Sequence, residues 1–170
     1  MIDVVEQLGG SLKQTALHCA VGLLARREHS EAELIQKLLT REFSEEDIVE
    51  AIEKLHEKNY LSDERFAASR CRYRANRGYG WHYIVNELKQ KGVCTTIIQN
   101  LRESCEIDWY LQAELAYNKR FGIKDSADIN INDSLDKKTK QKLIEKDKAK
   151  KIRFLQYRGF STDEIITVIE

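Results

Sequence analysis

Arg70, Arg74 and Arg77 fall at i, i+4 and i+7, a spacing that sets three guanidinium groups within about 60° of one another on a helix turning 100° per residue. Such a stripe suits phosphate or carboxylate, which guanidinium grips through paired N–H donors. Arg65, Arg72, Lys89 and Lys91 complete a stretch of seven cations over residues 65–92, against one acid, Glu87. A second group, Lys148, Lys151, Arg153 and Arg158, recurs near the C-terminus. The competing reading is a solvated helix face, with Lys89 and Lys91 serving the negative end of their helix. The scarcity of acids and the recurrence favour a surface turned toward a polyanion or an acidic partner.

Other chemistry finds little support. Cys19, Cys71, Cys94 and Cys105 are scattered without zinc-ligand spacing, and His18, His29, His56 and His82 share no common interval. The cysteines are expected to be small buried hydrophobes in a reducing compartment. Gly78-Tyr79-Gly80 is no dinucleotide fingerprint, because Tyr83 stands at the third glycine's place. It reads as a bend between helices with Gly80 at or near an N-cap. Trp81 and Tyr83 are candidates for stacking on nucleic-acid bases, although packing the first helical turn against a neighbouring unit is the preferred reading. No nucleophile, metal or phosphate-loop constellation emerges, so neither a catalytic role nor a cofactor is expected.

The elements that must position these cations follow from a repeat. LLTREFSEEDI from Leu38, LKQKGVCTTII from Leu88 and LQYRGFSTDEI from Leu155 align, with Phe43, Val93 and Phe160 at plus five and Ile48, Ile98 and Ile165 at plus ten. Ile35, Val85 and Ile152 align upstream, and Ala51, Leu101 and Val168 downstream. In each copy a helix ends at a left-handed position (Glu42, Gly92, Gly159), an apolar residue packs back, and Ser44, Cys94 or Ser161 starts the next helix. Ser30 with Glu33 and Ser161 with Glu164 form capping boxes. A further helix precedes each pair. One is opened by Ser11 and Gln14, one is capped by Ser62, and one follows Asp108 and stops at Gly122. The absence of proline agrees with helices joined by short links. The expectation is therefore all-α: three tandem three-helix, helix-turn-helix-like repeats in an elongated or curved array. Their expected bounds are 1–61, 62–107 and 108–170, with an inserted loop at about 123–138.

Net charge is zero over 170 residues, yet the blocks alternate: −7 for residues 1–64, +6 for 65–92, −4 for 93–136 and +5 for 137–170. Such segregation sets a directed field despite neutrality. Apolar content of 42% with 33% charged residues fits a globular chain. No apolar run is long enough for a membrane span, and the N-terminus lacks signal-peptide character, so the cytoplasm is expected.

YLSDERFA from Tyr60, RGYG from Arg77, IVNELKQKGV from Ile84 and RFLQYRGF from Arg153 resemble the RecX regulatory proteins, as do LLARREHSEAELIQKL from Leu23 and CEIDW from Cys105. The resemblance runs in order through nearly the whole chain. It implies a helical, non-enzymatic protein that binds the recombinase RecA and lodges in the groove of its filament on single-stranded DNA. There it would restrain ATPase, strand exchange and co-protease activity. Weak binding to single-stranded and duplex DNA, no membrane contact and a monomeric state are expected besides. Trp81, His82 and Tyr83 depart from the proline and basic residues common after the family's GYG. Glu42 departs from its usual small turn residue. The alternative from the residues alone is a helix-turn-helix reader of duplex DNA, but CTTIIQNLRES and STDEIITVIE are apolar or acidic where a recognition helix would need base-reading side chains.

Overall fold

A computed structural model describes residues 15–122 and 136–169. These residues form nine helices and no strand. The first repeat is α1 (Ala16–Leu24), α2 (Glu31–Leu39) and α3 (Glu45–Glu57). The second is α4 (Asp63–Ala75), α5 (Trp81–Gln90) and α6 (Thr95–Ser104), and the third is α7 (Trp109–Phe121), α8 (Lys137–Tyr157) and α9 (Thr162–Ile169). The chain divides into two compact units, residues 1–66 and 67–170, the boundary falling inside α4.

The joints between the second and third helices are the same in all three repeats. Leu38, Leu88 and Leu155 are fully buried, and their carbonyls accept from the N–H of Phe43, Val93 and Phe160 at 3.4, 3.1 and 3.2 Å. This is the six-to-one bond of a Schellman end, which needs a left-handed residue just before the apolar one. Glu42 (φ 63°), Gly92 (φ 80°) and Gly159 (φ 83°) supply it. Ser44 then caps α3 by accepting from the Asp47 N–H at 3.1 Å, and Ser161 and Glu164 exchange both bonds of a capping box, at 3.3 and 2.8 Å.

The repeat extends to a row that the sequence alignment did not use. Leu34 and Ile84 are fully buried one turn before Leu38 and Leu88, whereas Ile35, Val85 and Ile152 are only half-buried. In the third repeat Lys151 stands in that row. Its ammonium pairs with Asp147 at 2.6 Å and lies 5.9 Å from the Tyr117 ring and 6.0 Å from that of Phe121. The lysine stem fills a place that an aliphatic side chain holds elsewhere.

Several expectations change. α1 is capped by Thr15, whose hydroxyl accepts from the His18 N–H at 3.2 Å; the expected start at Ser11 and Gln14 lies outside the described residues. α8 begins at Lys137, capped by Asp136; of the loop expected at about 123–138, residues 123–135 lie outside the described residues. Cys19 and Cys71 are buried, but Cys94 is exposed because it occupies an N-cap, where the side chain points to solvent and makes no cap bond. Burial pushes the Cys71 thiol up to about 12, so it stays protonated and inert. Tyr60 is exposed, whereas Leu61 enters the core of the first unit with Leu34, Leu38, Ile48 and Leu55.

Candidate interaction surface

Two of the three stripe arginines converge on the one acid in their stretch. α4 presents Arg70 and Arg74 to Glu87 on α5. Arg70 donates to Oε1 through Nε at 2.9 Å and also through Nη2; Arg74 donates to Oε2 through Nε at 2.6 Å and to Oε1 through Nη2 at 2.8 Å. The Glu87 side chain is 12% exposed. Burial pushes its carboxyl up, but the hydrogen bonds from Arg74 and Arg70 and their charges outweigh burial and hold it below the ordinary carboxylate value. The Arg74 guanidinium also lies over the rings of Tyr73, Tyr79 and Tyr83, at 5.8, 5.3 and 5.5 Å. Tyr79 and Tyr83 are in turn paired at 4.3 Å. Much of the donor capacity of these two arginines is used inside the second repeat.

Arg77 is exposed; it donates to the Tyr73 hydroxyl and lies 5.4 Å from its ring. Arg72 and Lys89 are exposed with no ion pair among the described residues, and Lys91 is the C-cap residue of α5. Arg65 belongs to the first unit. It braces the left-handed Asn59 by donating to its side-chain and main-chain oxygens at 2.8 and 3.0 Å, and it pairs with Glu28 at 3.1 Å.

Arg158 ties the second and third repeats together. Its Nη1 donates to the carbonyls of Arg77 and Gly78 at 2.9 and 3.3 Å, and its guanidinium stacks on Tyr79 at 4.6 Å and Phe154 at 5.1 Å. Beside it the start of α5 meets the end of α8. The Gly80 N–H donates to the Arg158 carbonyl at 2.8 Å and the His82 N–H to the Gly159 carbonyl at 3.0 Å. Two groups left over at one helix end are satisfied by two left over at another. The approach is so close that a Cβ at Gly80 would sit 2.4 Å from the Gly159 oxygen, which is why glycine stands there. Trp81 and Tyr83 are half-buried in these contacts: Trp81 packs on Trp109 at 5.8 Å with the Arg102 guanidinium over both rings, and Tyr83 lies on Tyr79.

On α8, Lys148 and Arg153 are exposed, while Lys151 is paired. A further stripe escaped the sequence reading. Lys142, Lys146, Lys150, Arg153 and Tyr157, spaced by four, four, three and four, lie within about 80° of one another on one helix face and are all exposed. Tyr157 is 81% exposed, the most open of the large hydrophobic side chains among the described residues. The helix's own acids lie off that face, where Glu145 accepts from Gln141 at 3.0 Å and Asp147 holds Lys151. Like charges at i, i+4 cost a helix about 0.2–0.5 kcal/mol per pair, so the stripe opposes α8's own stability. The signal lay in the unbroken i, i+4 periodicity; alignment with the shorter α5 drew attention to Lys148 and Lys151 instead.

Residues 16–55 match the family described as RecX, first three-helix domain, and residues 62–100 that described as RecX, second three-helix domain. The Regulatory protein RecX of Haemophilus influenzae (strain PittEE) is 36% identical over 159 residues, covering 93% of this chain and 95% of that protein. That of Vibrio campbellii (strain ATCC BAA-1116) is 39% identical over 147 residues, covering 86% and 84%. The crystal structure of RecX from Lactobacillus salivarius shares the fold with a TM-score of 0.66 at 22% identity, covering 91% of this chain and 92% of that one. With relatives this similar over nearly their whole length, and the same three-helix domains in the same order, the chain belongs to the RecX family of regulatory proteins.

Proposed function

We propose that the protein is a non-enzymatic, monomeric regulator in the cytoplasm that binds RecA and the groove of its filament on single-stranded DNA, restraining ATP hydrolysis, strand exchange and co-protease activity. The observation that carries this reading is the near full-length kinship with proteins named as RecX regulators. The charge placement supports it. The exposed cations Arg72, Arg77, Lys89, Lys148 and Arg153, with the stripe from Lys142 to Tyr157, offer donors to phosphate or to acidic protein surface. Arg70, Arg74, Lys151 and Arg158 hold the scaffold that presents them, and Arg65 braces the first repeat. Inhibition needs no chemistry by this protein, because favouring one filament state opposes the subunit motion coupled to ATP turnover. Titrating the protein onto preformed RecA–single-stranded DNA filaments should slow DNA-dependent ATP hydrolysis, with tighter binding to filament than to bare single strands or duplex. Unchanged ATPase over a wide concentration range of folded protein would sink the reading.

A further inference from the structure

Between α2 and α3 the first unit carries an open groove of about 400 Å³. Its apolar wall is Ile35, Leu39, Ile48, Val49 and Ile52, of which Leu39 is 40% and Val49 57% exposed. Three glutamates, Glu31, Glu45 and Glu53, share the lining. Glu31 is hydrogen-bonded to His56 at 2.7 Å, whereas Glu45 and Glu53 are exposed with no ion pair among the described residues.

The repeat shows what such a groove holds. Shifting by the 50 residues that separate the first two copies puts Val85 at the place of Ile35, Ile98 at that of Ile48, Arg102 at that of Ile52 and Trp81 at that of Glu31. In the second repeat the places of Glu31 and Ile52, held by Trp81 and Arg102, are covered. Trp109, the first residue of α7 and 7% exposed, packs on Trp81, with a guanidinium over both rings. The corresponding first residue of α4 is Asp63, which instead accepts from the Glu31 N–H at 2.9 Å. A hydrogen bond thus stands where the second repeat has an indole pair, and Leu39 and Val49, whose places hold the polar Lys89 and Gln99 in the second repeat, are left as exposed apolar side chains in the first.

We propose that this groove is a docking site for a cationic amphipathic helix of a protein partner, which inserts a large apolar side chain against Val49 and Leu39 and sets Lys or Arg beside Glu45 and Glu53. The sign of the partner follows from the rim and from the surrounding block, residues 1–64, whose net charge is −7. Nucleic acid is repelled by the same field. The chain's own residues 1–14 bring Asp3 and Glu6 and match the rim poorly. On the function proposed above, the partner is the recombinase, and the groove gives the first repeat a contact independent of the basic surface of the other two.

The test uses the full chain and RecA filaments. Val49→Arg and the double substitution Glu45→Lys with Glu53→Lys are at exposed positions, and each should weaken filament binding by at least about tenfold, as expected at an interface anchor. A photoreactive benzoylphenylalanine at position 49 should crosslink to RecA. If the parent inhibits the filament while both variants bind like the parent, or if the crosslink forms only to DNA, to a second copy or within the chain, the groove assignment is overturned and the proposed function stands. If Val49→Arg weakens binding but the rim reversal does not, the cationic partner is wrong. Should either variant unfold, Leu39→Glu and Glu53→Gln serve in its place, with the same outcomes decisive. A parent that does not bind filaments at all instead removes the functional reading itself.

Discussion

Replacing Glu87 by Gln removes one negative charge while keeping shape and one acceptor oxygen, and it leaves Arg70 and Arg74 facing each other across an amide. Exposed ion pairs are worth about 0–1 kcal/mol, whereas removing one partner from a buried pair costs about 3–5 kcal/mol. With Glu87 at 12%, Arg74 at 18% and Arg70 at 28% exposed, the cluster lies toward the buried end of that range. The retained hydrogen bonds offset part of the loss, so Glu87→Gln should destabilise the protein by about 2 kcal/mol at neutral pH. Denaturant unfolding of parent and variant measures this. The pH dependence has a definite sign. The Glu87 carboxyl is depressed below its ordinary 4.5, so its contribution is fully present above 4.5 and lost as pH falls through the lower folded value. The difference between parent and variant should therefore be constant near neutrality and narrow in acid. A loss below about 0.5 kcal/mol at pH 7, or a gap unchanged in acid, would refute the clasp as a stabilising unit. The same geometry cautions against testing the surface by reversing Arg70 and Arg74. New carboxylates beside Glu87 would disrupt the scaffold and mimic a lost contact, so binding is better probed at Arg72, Arg77 and the α8 stripe.

Gly80→Ala should destabilise the second unit by about 1–3 kcal/mol, because its Cβ would meet Gly159 and Phe160 backbone at 2.4–2.6 Å. Gly22→Ala, in a helix interior with nothing within 4 Å, should stabilise by about 0.5–1 kcal/mol; equal effects on denaturation midpoint would discard the close-approach argument. Glu42→Gly should stabilise the first unit by about 0.5–1 kcal/mol, since Glu42 sits at φ 63°, and a clear loss in thermal unfolding would contradict this. His29 is 3% exposed, its Nδ1 lies 3.4 Å from Glu33 without a well-formed hydrogen bond, and burial, then the Arg27 charge, holds its pKa below 6.5 against the pull of Glu33. Its contribution is thus full above 6.5 and lost as pH falls below it, so a parent no more acid-sensitive than His29→Gln between pH 8 and 5 would rule it out.

Much of the fold was legible because helix ends are local. Leu38, Leu88 and Leu155 with their following apolar residues marked three identical joints, and the left-handed residue between them is fixed by chain geometry over six positions. What local pattern could not show was which cations meet partners far away in sequence. Glu87 is 13 residues from Arg74 and 17 from Arg70, and nothing in α4 announces it. Arg158 reaches carbonyls 80 and 81 residues away. The role of Gly80 in close approach was equally hidden, since a glycine before a helix looks the same whether it caps, bends or admits a neighbouring backbone. The α8 stripe is the opposite case, local and periodic throughout.

Charge counted by block is therefore a poor map of charge available for binding. Residues 65–92 carry a net +6, but Arg65, Arg70 and Arg74 are tied to carboxylates. Residues 137–170 carry a net +5 and leave most of their cations exposed, while Glu145 and Asp147 lie off the face that carries Lys142, Lys146, Lys150 and Arg153. In water the charges that count are those within about one Debye length, roughly 8–10 Å, of the surface a ligand touches. The Lys142–Tyr157 face spans about 22 Å along the helix without an acid on it, so a polyanion laid there meets successive cations and no carboxylate. The clasped arginines of α4 contribute instead by holding α5 in place against the end of that same helix, through Gly80 and His82. Basic residues of one composition thus divide between making the surface and fixing the joint that supports it.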